Sequence, residues 1–158
     1  MDQRISYITL ESPQATEQFA HDLAIQLDAG DTVLLSGQIG VGKTHFARAA
    51  ILSMLPEPED VPSPTYTLVQ TYEGRQVEIW HADLYRLIDP SEIIELGLID
   101  AFSSALCLVE WPERLKDFEP KNALGLAFEV GDHEDQRTVA MSWSDSRWDE
   151  KVTGFQDD

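Results

Sequence analysis

Cysteine occurs once in the 158 residues, at Cys107. A single thiol can neither close an internal disulfide nor build a cysteine metal cluster. Its place in the apolar run Ala105-Leu106-Cys107-Leu108-Val109 marks it as a buried, inert side chain. Basic residues are also scarce: 11 Lys and Arg face 29 Asp and Glu, for a formal charge of -18. A surface this negative repels phosphate backbones, which argues against independent binding of RNA or DNA. The bland reading of the acid excess is a solvated surface, and charge alone names no partner. No stretch approaches the ~20 apolar residues that span a bilayer. Met1-Asp2-Gln3-Arg4 is not followed by the apolar run of a secretion signal, so the expectation is a soluble, cytoplasmic protein without membrane association. Internal repeats and low-complexity linkers are absent too. We therefore expect one domain over residues 1–145, followed by an acidic, frayed tail over 146–158.

What is present alternates between strand and helix patterns, and the 42% apolar content suffices for one core. Residues 5–10 read as a strand. Ser12-Pro13 supplies a cap and a first-turn proline for a helix that carries Phe19, Leu23 and Leu27 on one face and closes at Gly30. Thr32-Val33-Leu34-Leu35-Ser36 has the continuous apolar pattern of a strand buried on both sides, and a helix through about Leu55 follows the loop after it. Residues 56–64 hold Pro56, Pro58, Pro62 and Pro64 among three acids, which excludes regular structure. Residues 68–72 and 77–83 read as a hairpin around Glu73-Gly74-Arg75-Gln76, and residues 124–130 and 138–143 as a second around Gly131-Asp132. Asp89-Pro90-Ser91-Glu92 starts a short helix that Gly97 ends. The expected fold is α/β: a three-layer domain with a mixed, partly parallel sheet and antiparallel hairpins.

Gly37-Gln38-Ile39-Gly40-Val41-Gly42-Lys43-Thr44 matches the phosphate-loop pattern G-x-x-x-x-G-K-[ST], between a strand and a helix as that motif requires. Its glycines let consecutive N-H groups turn toward a β-phosphate. Lys43 is placed to bridge β- and γ-phosphates, and the Thr44 hydroxyl to reach Mg²⁺, so a nucleoside triphosphate and Mg²⁺ are the expected ligands. The helix beyond points its positive end at the same charge. Such a site needs an acid from a neighbouring strand to hold Mg²⁺, and Leu106-Cys107-Leu108-Val109-Glu110 ends a buried run on a carboxylate, making Glu110 the candidate. In His81-Ala82-Asp83-Leu84-Tyr85-Arg86, Asp83 is placed either to orient the attacking water or to hold a metal-bound water. His81 reads as a packed or hydrogen-bonded histidine, since no second histidine stands at ligand spacing. Thr65, in Ser63-Pro64-Thr65-Tyr66-Thr67, is the hydroxyl best placed to sense a γ-phosphate, the alternative being a proline-stiffened turn into a strand.

These segments, with Glu95-Leu96-Gly97-Leu98 and Val109-Glu110-Trp111-Pro112, stand in an order that closely resembles one bacterial family, TsaE, also called YjeE. The resemblance is collinear from the first helix to about Trp143. It implies a mixed-sheet P-loop ATPase required for threonylcarbamoyladenosine in tRNA, working with the TsaB and TsaD proteins, of which TsaD carries out the carbamoyl transfer. By that resemblance residues 37–44 bind phosphates, Thr44 and Glu110 hold Mg²⁺, Thr65 belongs to a switch segment, Asp83 assists hydrolysis, and Arg137 borders the nucleotide base. The chain departs from the family in carrying Gln38-Ile39 where Asp-Leu is usual and His45 where Thr is usual. Three functional classes remain open: a partner-dependent ATP hydrolase, a nucleotide-dependent scaffold, and a small-molecule kinase. The kinase is disfavoured because the seven arginines are scattered and form no lid.

Overall fold

The computed structural model describes residues 2–64 and 67–155. Strand β1 (Arg4–Leu10) leads to helix α1 (Pro13–Ala24), whose Ser12 cap accepts the Ala15 N-H at 3.1 Å and whose Phe19, Ala20, Leu23 and Ala24 are buried. The helix ends before Leu27. The Gln26 and Leu27 amides bond the Leu23 and Ala24 carbonyls, a tighter turn that closes it early, and Gly30 at φ +90° instead aims the chain into the sheet. Strand β2 (Thr32–Ser36) runs into the glycine loop, and helix α2 (Lys43–Met54) leaves it. Strands β3 (Val69–Glu73) and β4 (Glu78–Asp83) form the first hairpin, after a proline segment without regular structure that Arg48 tethers by donating Nε-H to the Val61 carbonyl at 3.0 Å.

Helix α3 (Ser91–Glu95) has the expected reciprocal cap: Asp89 Oδ1 accepts from Ser91 N at 2.9 Å, and Glu92 Oε1 accepts from Asp89 N at 3.0 Å. Gly97 at φ +80° separates it from helix α4 (Leu98–Ser104). Strand β5 (Leu106–Glu110), a 3-10 segment (Pro112–Phe118), and the hairpin of β6 (Leu124–Val130) with β7 (Arg137–Trp143) follow.

The seven strands lie in the order β1-β7-β6-β2-β5-β4-β3. The neighbours β6, β2, β5 and β4 run parallel, while β3, β7 and β1 join antiparallel, which is the mixed sheet expected. Alternation splits the core between the two faces. Leu106 and Leu108 join α1, α2, Val33 and Leu35 on one face, whereas Cys107 and Val109 join α3, α4 and Leu34 on the other. Phe46 of α2 bridges Phe19 and Phe128, with ring centroids 5.5 and 5.7 Å away. Burial pushes the Cys107 thiol up to about 12, in keeping with an inert side chain. The α3/α4 layer does not reach β1 and β7, and Ile5 and Tyr7 stay exposed there. Among the described residues no helix is long and apolar enough to cross a membrane.

The segment expected to fray does not do so through Phe155. Helix α5 (Arg147–Lys151) buries Trp148 fully, and its indole N-H donates to the Asn122 carbonyl at 2.8 Å. Buried Asp31 anchors the same helix, accepting from Lys151 Nζ at 2.5 Å and from Arg147 at 3.3 Å. Composition alone suggested a solvated acidic end, but two basic residues and one tryptophan inside it find a buried carboxylate and a pocket that only the folded chain provides. Burial disfavours the Lys151 ammonium, yet its bonds to Asp31 and Asp28 outweigh this and hold its pKa above the ordinary value, so the anchor weakens only as pH rises beyond the usual lysine range.

Trp148→Ala should therefore cost about 3–5 kcal/mol of unfolding free energy. Urea unfolding monitored by circular dichroism checks it, and a loss below about 1 kcal/mol would show that the helix is an appendage.

Candidate phosphate and metal site

The site lies where the parallel strands β2, β5 and β4 end, the usual ligand crevice of an α/β sheet. Gly37 leaves β2 at φ +136°, and a Cβ there would sit 2.7 Å from the Phe128 carbonyl oxygen and 2.9 Å from Val41 Cγ1. Gly40 at φ +79° and Gly42 at φ +118° have left-handed backbones too, but nothing lies within 4 Å of where their Cβ atoms would be. One glycine thus permits close packing against β6, while the other two shape a loop around open space. That space is a cavity of about 400 Å³ lined by Ile39, Gly42, Thr44, Asp83, Glu110 and Trp111 among others.

Thr44, in the first turn of α2, donates its hydroxyl to Glu110 Oε1 at 2.7 Å. Glu110 is only 2% exposed, and its second oxygen, Oε2, accepts from His81 Nε2 at 2.7 Å. Asp83 lies directly opposite Glu110 in the β4–β5 register and is also buried. Its Oδ1 accepts the Tyr85 amide at 3.0 Å. Strand periodicity puts His81 and Asp83 on the same face of β4.

Lys43 is 4% exposed, with Nζ donating to the Gly37 carbonyl at 2.5 Å and lying 3.5 Å from the centroid of the Trp111 ring. Burial lowers its pKa below the ordinary lysine value, against the opposing charges of Glu110, Glu113 and Asp83. Trp111 adopts the left-handed conformation, φ 59°, and stacks obliquely on Tyr85 with centroids 5.0 Å apart.

These residues fit a magnesium nucleotide. A left-handed glycine loop surrounds an open cavity, a buried ammonium faces it, and a hydroxyl and a carboxylate meet at the first turn of the following helix. Among the described residues no group of three or more His, Cys, Asp and Glu side chains could hold a metal alone. Mg²⁺ does not need one, because it is held by one or two protein oxygens together with substrate phosphates and water.

A family model described as "Threonylcarbamoyl adenosine biosynthesis protein TsaE" matches residues 10–139. The chain belongs to the TsaE family. Proteins named tRNA threonylcarbamoyladenosine biosynthesis protein TsaE are similar to it. That of Rickettsia bellii is 44% identical over 73% of this chain and 80% of its own length. That of Haemophilus influenzae is 33% identical over 75% and 74%. That of Mycobacterium tuberculosis is 33% identical over 87% of each. The fold matches the crystal structure of Bacillus subtilus YdiB at a TM-score of 0.78, covering 98% of this chain and 96% of that one, with 21% identity. The chain's role thus falls within tRNA threonylcarbamoyladenosine biosynthesis.

Against this TsaE-family frame, Lys43, Thr44, Asp83 and Glu110 are gathered around one cavity. Thr65 lies outside the described residues. Arg137 flanks the loop's other side in a second cavity of about 270 Å³, shared with Pro13, Thr16, His45 and Asp135. Its Nε donates to the Val41 carbonyl at 2.7 Å, tying the β6–β7 hairpin to the loop. Gln38 and Ile39 are exposed, Ile39 by 70% at the rim of the cavity it lines, while His45 Nε2 lies 3.2 Å from the Pro13 carbonyl. Trp111 and Tyr85 were not singled out from sequence. The one available signal for them was their place inside recognisable motifs, since nothing in periodicity announces a tryptophan with positive φ. His81 is a hydrogen-bonded histidine, as its sequence context suggests, and its partner is Glu110, the candidate Mg²⁺ ligand.

The two kinds of loop glycine should respond differently to alanine. Gly37→Ala must displace backbone and should cost more than about 3 kcal/mol, whereas Gly40→Ala meets open space and should cost about 1–2 kcal/mol of backbone strain. Thermal unfolding of both variants is the check, and equal losses would contradict the geometry.

Proposed function

We propose that this chain is a Mg²⁺-dependent ATP-binding and ATP-hydrolysing component of the tRNA threonylcarbamoyladenosine machinery, acting in the cytoplasm with TsaB and TsaD rather than on tRNA alone. The observation that carries the reading is the 2.7 Å bond between Thr44 Oγ1 and Glu110 Oε1, two groups from separate elements that meet beside the glycine loop.

In this reading the amides of residues 37–44 and the start of α2 receive the phosphates, and the Lys43 ammonium shifts from the Gly37 carbonyl to phosphate oxygens. Thr44 and Glu110 hold Mg²⁺, which when bound neutralises charge developing on the phosphate oxygens. Asp83, beside Glu110, would either orient the attacking water or help hold a water of the cation. Thr65 belongs to the segment that responds to the γ-phosphate. Arg137, bonded to Val41, borders the base. The formal charge of -18 is the reason for assigning tRNA contact to the assembly and not to this chain alone.

Phosphate release, measured with and without TsaB and TsaD, should rise when the partners are added. Lys43→Ala should weaken nucleotide binding about 10- to 100-fold, through loss of a charge-assisted bond worth about 1.5–3 kcal/mol. Glu110→Ala should abolish most of the stimulated release. Release indifferent to partners and to both substitutions would sink the hydrolase reading, and partner assembly driven by ATP without release would favour a scaffold. Thr65→Ala should lower stimulated turnover with near-normal ADP binding, because the switch senses only the γ-phosphate, and an equal loss of ADP binding would remove that role.

A further inference from the structure

We propose that His81 is the positioning residue for Glu110: by donating to Oε2 it turns the carboxylate so that Oε1 faces Thr44 and the cation. The terminal torsion of a glutamate is broad and roughly two-fold, so burial alone does not fix where its oxygens point. Two side-chain donors fix them here, Thr44 on Oε1 and His81 on Oε2, each at 2.7 Å. When a cation takes the place of the Thr44 hydrogen on Oε1, the His81 bond is the one that remains.

The cost of keeping this histidine is visible. His81 is wholly buried in the middle of β4, and its other ring nitrogen, Nδ1, has no hydrogen-bond partner among the described residues. An orphaned buried polar atom destabilises a fold, and a leucine or phenylalanine would fill the same core position without one. The bond that offsets this cost goes to the carboxylate of the site. The β4–β5 register explains the reach: Asp83 stands opposite Glu110 and His81 opposite Leu108, one same-face step back along the strand. Outer partners of this kind orient ligating carboxylates elsewhere, and their loss lowers metal affinity about 10- to 100-fold.

This inference rests on the Mg²⁺-ATP reading, and the test separates the two. Calorimetry measures the affinity of the intact chain for a non-hydrolysable ATP analogue with Mg²⁺ and with EDTA, and the ratio is the readout. A ratio near one for the unaltered protein would defeat the Mg²⁺ reading, whatever His81 does. Given a clear ratio, His81→Leu should lower it about tenfold, leaving the affinity in EDTA within about twofold. His81→Gln, whose amide can donate to Oε2, should keep the ratio within about threefold. A folded leucine variant with the unaltered ratio, or equal loss in both variants, overturns the proposal. If the leucine variant does not fold, the comparison passes to His81→Gln against His81→Asn, whose amide stops one methylene short. The glutamine must then retain the ratio and the asparagine lose it, and any other result overturns the assignment.

Discussion

The parallel pairing of β2 with β5, in the one register that sets Leu35 beside Glu110, is the constraint on which the rest of the site depends. The glycine loop starts two residues beyond Leu35, so this pairing brings the carboxylate to the loop and the first turn of α2. A slip of one residue would turn Glu110 to the opposite face, because strand side chains alternate. The core forbids the slip. Leu106 and Leu108 are committed to the α1/α2 side, Cys107 and Val109 to the α3/α4 side, and all four are fully buried. Packing energy spread over two faces thus sets the position of one charged group.

The loop is braced from far along the chain. Phe128 of β6 packs so close to Gly37 that no side chain fits there, and Arg137 of β7 reaches the Val41 carbonyl. Both come from a hairpin some 90 residues downstream, paired to β2 through β6. One buried lysine at the cavity is offset by the charges of three carboxylates, Glu110 and Asp83 in its lining and exposed Glu113 beyond it. A triphosphate would add further negative charge, and the proposed Mg²⁺ supplies the balancing charge that the protein itself withholds. The Trp111 ring, packed on Tyr85, holds the Lys43 ammonium against its π face.

The far edge of the domain uses the same economy of cations. Asp31, just before β2, is buried and gathers Arg147, Lys151 and the Asp28 amide. Trp148, between those two cations, closes on Asn122 just before β6. The last helix therefore clamps the starts of two adjacent central strands, at the opposite end of the sheet from the phosphate cavity.

Local signals carried the strand β2, the glycine loop, both hairpins and the capped helix at Ser91, because turn chemistry and apolar alternation act between near neighbours in the chain. That Lys43, Thr44, Glu110 and Asp83 are candidate site residues was legible for the same reason: the loop motif is contiguous, and the acids close apolar runs. Strand order, the meeting of Thr44 with Glu110, the Lys43–Trp111 contact and the anchored last helix were not, since each joins residues far apart in sequence. The tail shows the limit most clearly. Its acidic composition predicts solvation, yet burial is set by whether a pocket and a counter-charge await a side chain, and Asp31 and Asn122 are brought to it only by the folded sheet.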